Sequence, residues 1–547
     1  MPSDTLRTKA PVGAFSFFGL VLEVPGALAS YPETQAAALA MAWFMTVFLI
    51  ATGLLFLFGA PLSRKFRTRQ NLKSRRGCQL PPSVPQQDPI FGFDLVLQQF
   101  RSLREDQRNT SLEKQFLEYG NTFRSKTYST TRLFTTEPKN LQAVFSTSFS
   151  SWGVQPMRLF GFEPFVGKGI MCTDGSFWEH SRALIKPTFA KAQIADLHLS
   201  AFALHVQHLI EVLPQDGSTV DLQPLFAKLA LDSSTEFLFG ESVGVLKSRT
   251  VSSAAKSFLE AYNYGQQGVG RRVQLGRWAT LKVDRQFQRS CTIAHDFVDA
   301  YIRKALLAAQ FCEKQDSSSA RYVLVRELVK ETKDRKEIRN QLLNVFLPAH
   351  DATGVALTNV FFHLARHPGV YLKLRREIVA MEDQDVKWTF ERIKSLKYLQ
   401  HVIQETFRLN PVIGTNARMA LEDTMLPTGG GESGNGNSPI FVHKGDIVTF
   451  SFYALHKRKD LFGEDADTFR PERWETLRPA HWSYLPFGGG PRICPGQQLA
   501  LTEVGYSIIQ IVKAFSAIEN RDQVLEFVEH YKLSTESKNG AKVALIA

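Results

Sequence analysis

One run of ten residues, Phe487-Gly488-Gly489-Gly490-Pro491-Arg492-Ile493-Cys494-Pro495-Gly496, carries the densest chemistry in the chain. A cysteine thiolate that ligates iron needs backbone N–H groups around its sulfur, and a tight turn supplies them. Glycines permit that turn and let a flat macrocycle approach closely. Arg492 offers a fixed positive charge for a carboxylate of such a macrocycle. An apolar helical run begins at Gln497, and a helix starting there turns its positive end toward the thiolate. A structural cysteine beside a glycine-rich turn would need none of the other features. The set fits Cys494 as the axial ligand of a haem iron.

The run matches Phe-x-x-Gly-x-Arg-x-Cys-x-Gly at every fixed position: Phe487, Gly490, Arg492, Cys494 and Gly496. Upstream stand Glu405-Thr406-Phe407-Arg408 (Glu-x-x-Arg), Pro471-Glu472-Arg473-Trp474 (Pro-Glu-Arg) and Trp178-Glu179-His180-Ser181-Arg182 (Trp-x-x-x-Arg). In order and spacing these motifs resemble the cytochrome P450 superfamily, over roughly residues 80 to 547. The resemblance implies a mainly α fold with a small β-rich part, and haem b held by Cys494. Arg492, Trp178, Arg182 and, more weakly, Arg418 are implied near the propionates. Glu405, Arg408 and Arg473 are implied as a network pinning the loop of Cys494. Taken alone, Glu405 and Arg408 read as an ordinary surface i,i+3 pair.

The same resemblance implies a monooxygenase that inserts an oxygen atom from O2 into a lipophilic small molecule. Electrons would come from an NADPH-dependent flavoprotein reductase, since no dinucleotide fingerprint is evident in the chain. The segment from Arg418 to Leu501 is most similar to the fungal alkane and fatty-acid hydroxylase branch. That implies either a fatty-acid-like chain or the tailoring of a polyketide or terpenoid-like secondary metabolite.

The oxygen site departs from the family pattern, Ala/Gly-Gly-x-Asp/Glu-Thr-Thr/Ser. This chain reads Pro348-Ala349-His350-Asp351-Ala352-Thr353-Gly354. The acid persists as Asp351, but the alcohol position holds Ala352, and Thr353 lies about 100° further round a helix. Asp351 and Thr353 are therefore the candidate proton-delivery pair, and Pro348 is expected to promote a kink. Three readings stand. Thr353, His350 or a substrate hydroxyl replaces the alcohol; or turnover leaks electrons; or the reaction is a non-oxygenating isomerisation or dehydration. A non-catalytic membrane haem protein is a further alternative, against which Asp351 argues.

Around these motifs, apolar residues recur at helical steps in Leu199, Phe202, Val206, Leu209 and Leu213, and again from Phe287 through Cys291, Ala294 and Val298 to Tyr301. A polar break at 313–319 separates two helices, and Ile447 to Phe450 reads as a strand. The loop Gly429 to Gly436 lacks the lysine ending and following helix of a phosphate cradle, and reads as a plain surface hairpin loop. His363 and His367, at i,i+4, lack the glutamate and third ligand of a zinc hydrolase, and read as histidines of a helical C-terminus.

The chain has 547 residues with 44% hydrophobic and 22% charged, enough apolar material for a large core. Five scattered cysteines argue for a reducing compartment. Of the net charge of +12, more than half sits on the seven bases between Arg64 and Arg76. No basic stripe with interleaved aromatics remains elsewhere, so no nucleic-acid partner is expected. That tract follows an uncharged stretch, 34–63, long enough to span a bilayer. Its bases come after it, which places the following part in the cytosol. The expected organisation is a lumenal segment 1–33, a transmembrane anchor 34–63, a basic and proline-rich linker 64–87 and a catalytic domain 88–547. The expected location is the endoplasmic reticulum membrane, crossed once.

Overall fold

The computed structural model describes residues 43–49, 77–190, 199–247, 253–276, 279, 283–311, 323–381 and 387–547. The chain divides into two units, 1–76 and 77–547. In the first, residues 43–49 are helical and exposed, while the rest of the expected anchor and the basic tract lie outside the described residues. No helix among the described residues is long and apolar enough to cross a membrane.

The second unit is mainly helical. Helix α1 (Phe93–Arg104) and α2 (Arg108–Tyr119) lead into a hairpin of β1 (Thr122–Thr127) and β2 (Thr130–Thr135). There follow β3 (Trp152–Gly153), α3 (Gln155–Val166), α4 (Gly175–Ile185), α5 (Leu222–Phe239) and α6 (Ser253–Leu275). The central element is α7 (Arg335–Arg366), 32 residues long and so about 48 Å from end to end. Asp334 caps it by accepting the Lys336 N–H. From Val355 to Ala365 every residue is buried, the pattern of a helix surrounded by protein. Helix α7 runs through Pro348 without a break. Its partner α5 starts at the cap Asp221 and stops at Gly240, whose φ of 85° ends the helix in the left-handed region.

Beyond α7 come α8 (Lys397–Leu409), β4 (Thr415–Ala420), β5 (Thr424–Gly430), β6 (Ser438–Val442), β7 (Ile447–Ser451) and α9 (Gln497–Ala514). A last hairpin joins β8 (Glu529–Tyr531) to β9 (Thr535–Ser537). The main sheet runs β1-β2-β7-β4-β3. Only β2 and β7 run parallel in it, with Arg132 opposite Ile447 and Phe134 opposite Thr449. The two helical runs read from periodicity are present as Leu199–Val212 and Arg285–Phe311. The expected polar break, 313–319, lies outside the described residues.

Two local stretches gain contacts that the sequence did not show. The Pro81–Pro85 stretch is extended, but the Val84 N–H donates to Arg124 O at 2.9 Å and Pro82 O accepts from the Arg124 N–H at 2.8 Å. It pairs with the free edge of β1. The loop Gly429 to Gly436 joins the antiparallel pair β5 and β6 as a surface hairpin, as read from the sequence, and it packs closely. A Cβ on Gly434 would stand 2.4 Å from the carbonyl oxygens of both Thr122 and Tyr119. The loop is glycine-rich because two backbones touch there.

Candidate active site

The Cys494 loop is shaped by close approaches. Gly490 has a φ of 66°, and a Cβ there would lie 1.8 Å from Phe145 O. A short 3-10 turn, Gly490–Arg492, follows, and the Cys494 N–H donates back to Phe487 O at 3.1 Å. Helix α9 then begins at Gln497, after the cap residue Gly496. Cys494 is exposed, and it is exposed to a cavity that it helps to line. Burial in the loop raises its thiol above the usual range, while the Gly496 N–H and the Arg182 charge pull it down. Those two groups favour the anion, and bound iron would complete the deprotonation.

The cavity measures about 960 Å³. One part is strongly basic. Arg492 reaches Thr173 O at 2.7 Å and Asp174 at 2.7 Å, with its guanidinium over the Trp178 ring at 4.4 Å. Arg418 donates to Asn416 Oδ1 at 2.9 Å and Ala417 O at 2.8 Å. Arg158, which no motif pointed to, shares that Asn416 oxygen at 2.8 Å. All three arginines line the cavity. Burial, then Arg158 and Arg492, holds the Arg418 guanidinium well below its ordinary range, and Asp174 is the acid that opposes them. Three guanidiniums around one carboxylate call for further anionic charge. Haem propionates beside a cysteine-lined floor fit that demand.

Trp178 and Arg182 stand behind this wall rather than in the cavity lining. Trp178 is buried beneath Arg492, and Arg182 donates to Ile493 O at 3.1 Å, bracing the loop. Phe487 lines the cavity and meets Phe407 edge-on at 5.8 Å.

The Glu405, Arg408 and Arg473 motif is no surface pair. Glu405 and Arg408 are both 0% exposed. The Arg408 Nε and Nη2 donate to the two Glu405 oxygens at 2.9 Å each. Arg473 Nε adds a contact at 3.3 Å and Trp474 Nε1 another at 3.0 Å. Arg408 also donates to His456 O, whose ring Nε2 accepts from the Leu485 N–H at 2.9 Å. The network thus reaches the residues that lead into the Cys494 loop.

On α7, Asp351 and Ala352 line the cavity with Leu347, Pro348 and Ala356. Thr353 turns elsewhere: its hydroxyl donates to Glu503 of α9 at 2.9 Å in a buried contact. His350 packs on Tyr262 and Phe346 outside the lining. The hydroxyl that meets Asp351 comes from Ser534, in the β8–β9 turn, and Gln266 of α6 approaches the same oxygen at 3.5 Å. No sequence pattern joins positions 351 and 534.

His363 and His367 are taken up by neighbouring groups, His367 Nδ1 meeting His363 O at 2.8 Å. His363 Nε2 pairs with Asn410 Oδ1 at 2.7 Å and its ring stacks on Phe469. No group of three metal-ligating side chains occurs among the described residues.

The cytochrome P450 family model matches residues 82–541. A cytochrome P450 monooxygenase, himC, of Aspergillus japonicus is 37% identical over 86% of this chain and 84% of its own length. Cytochrome P450 monooxygenase FPY7 of Fusarium mangiferae is 35% identical over 93% of this chain and 97% of its own. Cytochrome P450 52A13 of Debaryomyces hansenii is 39% identical over 71% and 76%. With Cys494 facing a basic-walled cavity and the family model spanning almost the whole folded unit, this chain belongs to the cytochrome P450 family and is a haem-thiolate monooxygenase that binds haem b.

Proposed function

We propose that the protein is a membrane-anchored oxygenase of a long or bulky lipophilic substrate. It would be held in the endoplasmic reticulum membrane by residues 34–63 and reduced by an NADPH-dependent flavoprotein. The observation that carries this reading is one continuous cavity holding Cys494, Asp351 and an apolar wall that includes Val96, Phe100, Leu103 and Leu112. Cys494 holds the iron, while Arg492, Arg418 and Arg158 bind the propionates. Trp178 and Arg182 position Arg492 and the Cys494 loop. Bound there, haem b supplies the thiolate-ligated iron at which dioxygen is activated and its O–O bond cleaved.

In this reading Asp351 moves protons, with the Ser534 hydroxyl as its partner. Ser534 Oγ donates to Asp351 Oδ2, so a proton arriving at the carboxylate can pass through an alcohol that lines the same cavity. Ser534 thereby fills the role that Ala352 has vacated, and Thr353, engaged by Glu503, is not needed for it. The test is oxygen uptake by membranes supplied with reductase and NADPH, measured against a panel of lipophilic metabolites. Substrate-linked uptake supports the reading; product formation that proceeds without a reductase would favour a non-oxygenating reaction.

A further inference from the structure

The hairpin that carries Ser534 has little to hold it by itself. Strands β8 and β9 form a sheet of their own, with three residues paired from each, and an isolated two-stranded hairpin is at best marginally stable. Its turn nevertheless lines the cavity with Lys532, Leu533 and Ser534. A proton passes only across a hydrogen bond of about 2.6–3.2 Å. A turn that drifts by about 1 Å therefore takes the hydroxyl away from Asp351. The hairpin must be held from outside.

Its holders stand at residues 106–110. Glu529 Oε1 accepts the Asn109 N–H at 2.7 Å, the Thr110 N–H at 3.2 Å and the Thr110 hydroxyl at 3.0 Å. Asn109 Nδ2 donates to Thr535 Oγ1, on the other strand, at 3.2 Å. Asp106, strained at a φ of 55°, meets His530 of β8 at 2.7 Å and Lys538 beyond β9 at 2.8 Å. Burial ranks these ties. The His530 and Lys538 side chains are 43% and 51% exposed, and ion pairs open to water contribute little. Glu529 is 4% exposed and Asn109 0%, so the bond between them is buried as well as charge-assisted.

Helix α2 needs what Glu529 gives. Its cap residue, Gln107, makes no side-chain hydrogen bond to the helix, and its first turn contains no acid. Asn109 and Thr110 are the second and third residues of α2, whose N–H groups a cap side chain ordinarily takes. A carboxylate there also faces the positive end of the helix. Glu529 thus caps α2 from the far end of the chain, although burial pushes its carboxyl up and leaves Oε2 without a hydrogen bond. We infer that Glu529 is a positioning residue for proton delivery: by capping α2 it pins β8, and the turn beyond β8 then holds Ser534 against Asp351. The role rests on the Asp351–Ser534 relay proposed above and deepens it.

The test uses the full-length holoenzyme in nanodiscs with flavoprotein reductase and NADPH and no added substrate, so dioxygen is the sole acceptor. Peroxide released per NADPH consumed reads how often dioxygen leaves before its O–O bond is cleaved. Glu529→Ala should raise this ratio severalfold, to the level of Ser534→Ala. The double variant should add nothing to either, as expected where one residue acts through the other. Glu529→Gln keeps the acceptor oxygen and should stay near wild type. Thr110→Val removes the hydroxyl donor and should raise the ratio less; it carries the test should Glu529→Ala fail to fold. Hydrogen exchange gives a reading without turnover. Amides of 529–537 should exchange severalfold faster in Glu529→Ala and at the wild-type rate in Glu529→Gln. A wild-type ratio in Glu529→Ala or, failing that protein, in Thr110→Val overturns the inference. So does an effect that adds to that of Ser534→Ala, a Glu529→Gln that behaves like Glu529→Ala, or unchanged exchange of the hairpin. The Ser534→Ala arm reads the relay separately: a wild-type ratio there overturns the relay and, with it, the role of Glu529.

Discussion

At the scale of single residues, the chemistry divides between one sulfur and one carboxylate. Cys494 is pulled toward its anion by an N–H and an arginine, yet burial opposes ionisation, so in the proposed site its thiolate would depend on bound iron. Cys494→Ala should abolish the thiolate-type band in the reduced carbon-monoxide difference spectrum. Retention of that band would remove Cys494 from the iron. In the proposed relay, Ser534, which donates to Asp351, would supply the hydroxyl that position 352 lacks. Ser534→Ala should lower product formed per NADPH consumed by about tenfold, the low end for a lost proton-transfer group, with peroxide rising in step. Ala352→Thr should restore part of that coupling in the Ser534→Ala background. A Ser534→Ala enzyme that couples as well as wild type assigns the relay elsewhere.

At the scale of elements, the site is held by contacts between segments distant in sequence. Helix α8 carries Glu405 and Arg408, and Glu405 also binds Arg473 and Trp474 further along the chain. Removing one charge from this buried set leaves the others unmatched. Glu405→Gln should therefore cost about 3–5 kcal/mol in chemical denaturation, with haem content falling as the protein loosens. Stability within about 1 kcal/mol of wild type would show that the network is dispensable. Two histidines packed among these elements make a pH prediction. Burial holds the His363 and His456 imidazoles down to about 3 each, against about 6.5 when unfolded. Below that unfolded value the denatured chain binds protons that the native one refuses. The stability these neutral rings contribute is complete above about pH 6.5 and is lost as pH falls toward about 3. Each ring should add up to about 1.4 kcal/mol per pH unit to that loss, read as a falling denaturant midpoint between about pH 7 and pH 5. A midpoint that stays flat there would mean the rings are not held neutral.

At the scale of the whole molecule, residues 77–547 form one unit with all of the proposed chemistry. The proposed membrane attachment resides in residues 1–76. Deleting that segment should move the protein from the membrane pellet to the supernatant while its carbon-monoxide spectrum keeps the thiolate band. A deletion variant that stays in the pellet through an alkaline carbonate wash would locate the attachment in the folded unit, where Phe91, Phe93 and Leu97 are exposed apolar side chains.

The chemistry that is local in the chain was legible from residues alone. A thiolate loop needs its glycines, its arginine and its following helix within a few positions of Cys494, so the order of residues already displays it. Helical periodicity revealed the runs beginning at Leu199 and Phe287 for the same reason, since neighbours on one helix face are near neighbours in sequence. Contacts across the fold were not legible. Thr353 was the nearest hydroxyl by position, but packing against α9 gave it to Glu503, and the β8–β9 turn brought Ser534 to Asp351 instead. Arg158 carries no motif and joins Arg418 only because both reach Asn416. Whether Glu405 and Arg408 lie on the surface or at full burial is likewise decided by what folds over them, because an i,i+3 spacing is the same in either place.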